Sequence, residues 1–322
     1  MRDAVERTTW ESNARRLDDL FAWLNELGLR VTGSRINAYR KACWGFAAPK
    51  GNNTEGMSRE DFVKRVHLAY EIQSLVRVQQ AFGVHSPPGL KARLADMLKG
   101  PLYVSDEKAT NSSNKARNIG FELQLGAVFA EAGLDVRFAQ DADITADFAG
   151  VRVIVECKRP QSFDAVGTRL HEGLKQLAGR YSSTTTQTTV ERGIVALSLG
   201  RALNQDFQIL PVSKALVLRR KAESITERCW YHYRKEWVDA GHPQTIGVLL
   251  QYDFPAIIEA DGLITYCSDT VLTNAVGTKP QDVAFLRQLA CALGRKKLKE
   301  PDAELEPATV PYSETDTRSP QG

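Results

Sequence analysis

Cysteine is scarce in this chain, and the five that occur stand apart: Cys43, Cys157, Cys229, Cys267 and Cys291 are odd in number and form no CxxC pair. That spacing argues against a thiolate zinc site and a disulfide framework, and points to reduced thiols in a cytoplasmic setting. Long apolar runs are also missing, so no segment reads as a membrane span. The opening MRDAVERTTWESNARRLDDL is charged from the start and has no apolar signal core. The expectation is a cytoplasmic protein without membrane contact. No GxxxxGK[ST], HExxH or GxSxG occurs, which removes the phosphate-cradling loop, the zincin helix and the nucleophile elbow from consideration. No internal repeat is visible.

A strong charge of one sign is absent as well. Lys and Arg number 42 against 39 Asp and Glu, leaving +3 over 322 residues. Total charge therefore does not announce a polyanion partner, but its distribution is uneven. Residues 1–120 carry about six excess positive charges, 121–295 are near neutral, and the end is slightly acidic. A basic half beside a neutral half fits a surface for nucleic acid; a solvated helical surface fits equally. Hydrophobic residues at 43% and charged residues at 25% are ordinary for a globular protein, and the length allows one large domain or two ordinary ones.

The first third reads as helical. Leu17, Leu20, Phe21, Leu24 and Leu27 share a helical face, as do Ile36, Tyr39, Cys43 and Phe46. APKGNNTEGM is a loop by composition. Ser58 followed by Asp61 opens a long helix over about residues 59–82, HSPPG breaks it, and a short helix follows around 90–98. After about residue 110 the pattern changes. TNSSN starts a helix, KARNIGFELQLGAVFAEAG continues it to a glycine, and DVRF reads as a short strand. DADITADFAGVRVIVECKRP reads as two strands turning near Ala149 and Gly150. Residues 165–180 are helical, ERGIVALSLG and TIGVLLQY are buried strands, and 213–239 is a helix rich in Arg, Lys, Trp and Tyr. These readings divide the chain into a helical region, 1–110, for substrate or partner binding; an α/β domain, 111–297; and a polar tail, 298–322, expected to be disordered.

Chemistry concentrates in VRVIVECKRP. Alternation on a strand puts Glu156 and Lys158 on one face and Val155 and Cys157 on the other. An edge strand with a surface Glu–Lys pair would explain this alone. The preceding strand adds to it. With the turn at Ala149–Gly150, Phe148 opposes Val151, Ile144 opposes Val155, and Asp143 opposes Glu156. Two adjacent carboxylates repel unless a cation lies between them, and hard oxygen donors suit Mg²⁺ or Mn²⁺. Lys158 would stabilise charge developing on a phosphate. Asp147 competes with Asp143 but on this register opposes Arg152.

An Asp on one strand followed by Glu-x-Lys on the next resembles the PD-(D/E)XK nucleases, the restriction-endonuclease-like superfamily. The resemblance covers residues 114–200, extends over the sheet region to about 255, and omits the N-terminal helices. It implies an α/β fold with a restriction-endonuclease-like core, a central mixed sheet flanked by helices, here preceded by an all-helical region. It implies a further metal-site Glu on the helix before the strands, matched by Glu122 in NIGFELQLGAVF. It also implies a Gln on the helix after them, matched by Gln176 in LHEGLKQLAGRY. Ala142 stands where the family's eponymous Pro would be. The implied activity is Mg²⁺- or Mn²⁺-dependent hydrolysis of phosphodiester bonds, with DNA the expected substrate. Asp143, Glu156, Glu122 and the Cys157 carbonyl would hold the metal. The implied setting is restriction, phage defence or a mobile element, with a homodimer or a defence-complex partner. A nucleic-acid-binding or regulatory protein on the same fold is the rival.

Other residues take simpler readings. Arg159 is either a phosphate contact or a solvated strand-end charge. His171 reads as a surface residue. Arg219, Arg220 and Lys221 read as a phosphate contact or a helix-flanking cluster. In RCWYHYRKEW, helical spacing favours core packing of Trp230, Tyr233 and Trp237 with a basic outer face over base stacking.

Overall fold

The computed structural model describes residues 9–48, 56–107, 111–138, 142–181, 190–204, 207–238, 242–259, 263–274 and 277–294. The tail expected at 298–322 lies outside them, as does most of the 48–57 loop. Four helices come first, α1 (Trp10–Glu26), α2 (Arg35–Ala47), α3 (Arg59–Phe82) and α4 (Leu90–Met97). Their starts follow from capping chemistry. The Thr9 hydroxyl accepts from the Ser12 amide at 3.0 Å, and the Ser58 hydroxyl from the Asp61 amide at 3.1 Å. Glu60 and Asp61 add negative charge at the positive end of α3.

The second part runs α5 (Asn111–Glu131), β1 (Asp135–Arg137), β2 (Ile144–Phe148), β3 (Val151–Lys158), α6 (Ala165–Tyr181), β4 (Val190–Ser198), α7 (Gly200–Leu203), β5 (Leu210–Val212), α8 (Ala215–Val238), β6 (Thr245–Ile258), β7 (Leu263–Asn274) and α9 (Pro280–Ala292). The seven strands form one mixed sheet. Its order is β1-β2-β3-β4-β6-β5, with β7 paired to β6. β1, β2 and β3 are antiparallel neighbours, whereas β3, β4, β6 and β5 run parallel and β7 antiparallel to β6. The β2–β3 hairpin has the register read from the sequence, Phe148 opposite Val151 and Ile144 opposite Val155. It turns on Ala149 and Gly150 with φ of 48° and 77°, the pair of positive values a two-residue primed turn requires. Sequence reading stopped β6 at Tyr252; it runs six residues further because β7, which that reading did not identify, pairs with it as far as Ile258.

Period-two alternation sends side chains to two cores. Val153, Val155, Cys157, Ile194, Ala196 and Leu249 face α5, the N-terminal helices and α9. Ile154, Val195, Leu197, Val248 and Leu250 face α6 and α8. The first core is continuous from Leu17 and Ile36 through Phe129 to the sheet, so α1–α4 share apolar burial with the strands. The second includes Trp230, Tyr233 and Trp237, all buried, while Arg228 and Lys235 stay exposed. Thus the aromatic side of α8 is packing, as its spacing indicates. Burial of one such large side chain is worth roughly 1.5–3 kcal/mol. α6 lies close on β4 because Gly173 has no side chain: a Cβ there would sit 2.8 Å from Val195 Cγ1. That close approach brings the last turn of α6 within side-chain reach of Glu156 on β3.

Candidate functional site

The site grows from the ends of β2 and β3. Asp143 lies just before β2, where its carboxylate Oδ2 accepts from the Cys157 amide at 2.8 Å. This bond continues the β2–β3 pairing with a side chain in place of a carbonyl, and it fixes the carboxylate beside Glu156. Lys158, two residues further on the same strand face, puts its Nζ 3.1 Å from Glu156 Oε2 and 3.8 Å from Asp143 Oδ2. The same ammonium donates to the Cys157 carbonyl at 3.3 Å. Asp147 shares the face of Asp143 but lies four residues further along, opposite Arg152, and pairs there with Arg137 at 2.9 Å and Arg152 at 3.1 Å.

Glu122 reaches the cluster from α5. Arg93, on α4, lies 3.0 Å from Glu122 and 4.0 Å from Asp143, and donates to the Ala142 carbonyl at 3.2 Å. At the far side Arg180, from the last turn of α6, donates to Glu156 Oε1. The six groups form a ladder of alternating charge: Glu122, Arg93, Asp143, Lys158, Glu156, Arg180. Glu122, Asp143, Glu156 and Lys158 are therefore brought together. Gln176 is exposed, and the α6 side chain that meets Glu156 is Arg180, one turn later. Arg93 and Arg180 carried no signal in the sequence reading. Arg180 could have been found by counting four residues on from Gln176; Arg93, in the helical region, could not.

Electrostatics sharpen the picture. Burial first, and repulsion from Asp143 second, push the Glu122 carboxyl up to about 8. The same two causes raise Glu156, with Lys158 and Arg180 opposing them. Arg93 is near enough to Glu122 for an ion pair but not aligned for a hydrogen bond, and Glu122 Oε2 is buried without a hydrogen-bond partner. Three hard oxygen donors that repel one another, one with an orphaned oxygen, match a divalent cation in chemistry. Against this, among the described residues no three carboxylate, imidazole or thiolate groups are gathered at metal-holding distances. The bases of the ladder stand between the acids.

Arg159 fits neither of its sequence readings. Its side chain is 9% exposed and donates to the buried carboxylate of Glu107 at 2.9 and 3.2 Å. His171 is a surface residue, 3.7 Å from Glu236. Arg219 pairs with Glu223 one helical turn on. In the basic N-terminal region, Lys64 pairs with Glu60 and Arg77 with Glu131, so part of that excess charge is locally answered. No described helix is long and apolar enough to cross a membrane. Set against protein-family models, curated proteins and solved structures, the chain finds no match.

Proposed function

We propose that the chain is a metal-dependent nuclease on a restriction-endonuclease-like core, with DNA as substrate. One observation carries the reading. Glu122, Asp143, Glu156 and Lys158, from a helix and two strands, converge on one buried cluster at the carboxyl end of β3. The order helix, hairpin, Glu-x-Lys strand, helix supports it further. Mg²⁺ or Mn²⁺ held by Asp143 and Glu156, with Glu122 joining, would activate water and clamp the scissile phosphate. The chain's own residues supply the rest. The Cys157 amide orients Asp143, Lys158 places positive charge where phosphate charge develops, and Arg93 and Arg180 hold the acids in place before a cation arrives. The decisive assay incubates the chain with plasmid, linear and single-stranded DNA, in Mg²⁺ or in EDTA. Cleavage should need the metal and disappear in Lys158→Ala.

A second reading, a non-catalytic nucleic-acid-binding or regulatory protein, is favoured by the ladder itself, in which each acid already has a basic neighbour. It predicts DNA binding with no cleavage under any metal and no heat on adding Mn²⁺. A chain inactive alone but active with a second protein would place the nuclease inside a larger defence assembly.

A further inference from the structure

The sheet has a gap in one edge of β6. β4 pairs with β6 only as far as Ser198 opposite Gln251, and β5 resumes at Leu210 opposite Ala256. β7 holds the other edge from Gly247 to Ile258. Among the described residues no strand covers the first edge from Tyr252 to Pro255, a stretch of roughly 13 Å at the ordinary strand rise. α7 crosses there, close enough that a Cβ on Gly200 would meet the Asp253 carbonyl at 2.8 Å. At the gap lies a cavity of about 140 Å³ between α3, α5, α7 and β6. It borders a different face of α5 from the one that carries Glu122.

Two sets of polar groups border this cavity. The first is cationic: Arg35, Arg117 and Arg159 from α2, α5 and the exit of β3. Glu71 lies 2.8 Å from Arg117 and 3.4 Å from Arg35, and Glu107 lies 2.9 Å from Arg159 and 3.5 Å from Arg117. Three guanidiniums thus share two carboxylates. The Arg35 side chain is 4% exposed, yet its Nε has no hydrogen-bond partner. A buried unanswered donor is unfavourable, and the charge left over is positive. The second set centres on Asp253. Its Oδ2 accepts from Gln251 at 2.6 Å; the Tyr70 and Ser268 hydroxyls also lie beside the carboxylate, yet the buried Oδ1 has no aligned hydrogen-bond donor. The rest of the wall is mostly apolar, with Leu75, Val78, Met97, Phe121 and Phe254, and is interrupted by polar groups such as His67, Gln124, Arg201 and Asn204.

We propose that this cavity is a binding site for a small organic acid that also carries an N–H donor. Its acid group would answer Arg35 and the surplus positive charge. Its N–H would answer Asp253 Oδ1, and a ring-sized body would fill the apolar space. Size agrees, since an apolar protein cavity of about 150 Å³ takes up benzene. Burial pushes the Asp253 carboxyl up, a strain that a bound N–H relieves. The proposal is independent of the nuclease reading.

The test uses the full chain labelled with ¹³C at the methionine methyls. The sequence has three methionines, and of these Met97 is buried in the cavity wall. The probe is 4-aminobenzoate, which carries both functions, with benzoate lacking the donor and aniline lacking the acid. The Met97 resonance should shift saturably with 4-aminobenzoate, and each single-function probe should bind about tenfold more weakly, the equivalent of one lost hydrogen bond. Arg35→Met should weaken 4-aminobenzoate to the level of aniline, and Asp253→Leu to that of benzoate. No Met97 shift with any probe at its solubility limit overturns the proposal. So does a shift confined to Met1 or Met57, or equal affinity for all three. These outcomes are read on the wild-type chain and stand even where a variant does not fold.

Discussion

Glu122→Gln separates a carboxylate that is tolerated from one that is waiting for a cation. Glu122 is 6% exposed, and burial with repulsion from Asp143 pushes it up to about 8 from an ordinary 4.5. Each tenfold change in an acid constant is worth about 1.4 kcal/mol, so the ionised form costs the fold on the order of 5 kcal/mol. The sign follows from proton counting. Between pH 4.5 and 8 the unfolded chain has released this proton and the folded chain has kept it. The contribution of Glu122 to stability is therefore greatest below about pH 4.5, falls as pH rises to about 8, and levels off above. Glutamine has nearly the same shape and no proton to lose, and Arg93 keeps Asp143 at 4.0 Å as a partner. Urea unfolding at pH 5, 7 and 9 should give similar stabilities for wild type and Glu122→Gln at pH 5. By pH 9 the variant should lead by several kcal/mol. Millimolar Mg²⁺ should recover much of the wild-type loss at pH 9 and do little for the variant, because only an ionised carboxylate rewards the cation. Parallel pH curves for the two proteins would refute the reasoning, since they would mean that the Glu122 carboxylate is already compensated.

Asp143→Asn keeps an oxygen for the Cys157 amide but removes a charge, so cleavage should fall by orders of magnitude and calorimetric Mn²⁺ binding should be lost with it. Lys158→Ala should be equally inactive while keeping the Mn²⁺ heat, and a variant that loses both would contradict the assigned role. Glu71→Ala strands Arg35 and Arg117 in the interior and should cost about 3–5 kcal/mol in urea unfolding; a cost below about 1 kcal/mol would show that the network is solvated. Ala149→Asn should raise stability by about 1 kcal/mol, because asparagine accepts the left-handed turn conformation that alanine resists. A destabilised variant would mean the hairpin does not turn at this pair.

The hairpin was readable because two independent local signals agreed. Alternation fixed which side chains share a face, and the turn at Ala149–Gly150 fixed the register, so Asp143 falls beside Glu156 by counting alone. The cap on α3 and the buried stripe of α8 were legible for the same reason, since both depend on neighbours within four residues. The failures are long-range. Arg159 looked solvated because its partner Glu107 lies 52 residues upstream. Arg93 belongs to another helix and another part of the chain, and nothing local distinguishes it from a surface arginine. Gln176 and Arg180 lie one turn apart on α6, and which one meets Glu156 depends on how closely Gly173 lets the helix sit on Val195. β7 was missed because it completes the sheet only through β6.

The alternating ladder from Glu122 to Arg180 has a consequence for how these positions can vary together. Once Glu122 has ionised, above about pH 8, the ladder is internally neutral, with three acids and three bases. Any single replacement by an apolar residue leaves one net charge in a confined space, whereas losing a neighbouring acid and base together leaves none. Single and double variants should therefore be strongly epistatic in stability: Arg180→Leu with Glu156→Leu should cost less than the two separate losses added. Natural variants of this chain that abandon the site would then be expected to shed it in neighbouring pairs, and a lineage holding one member without its neighbour should have placed a new charge nearby.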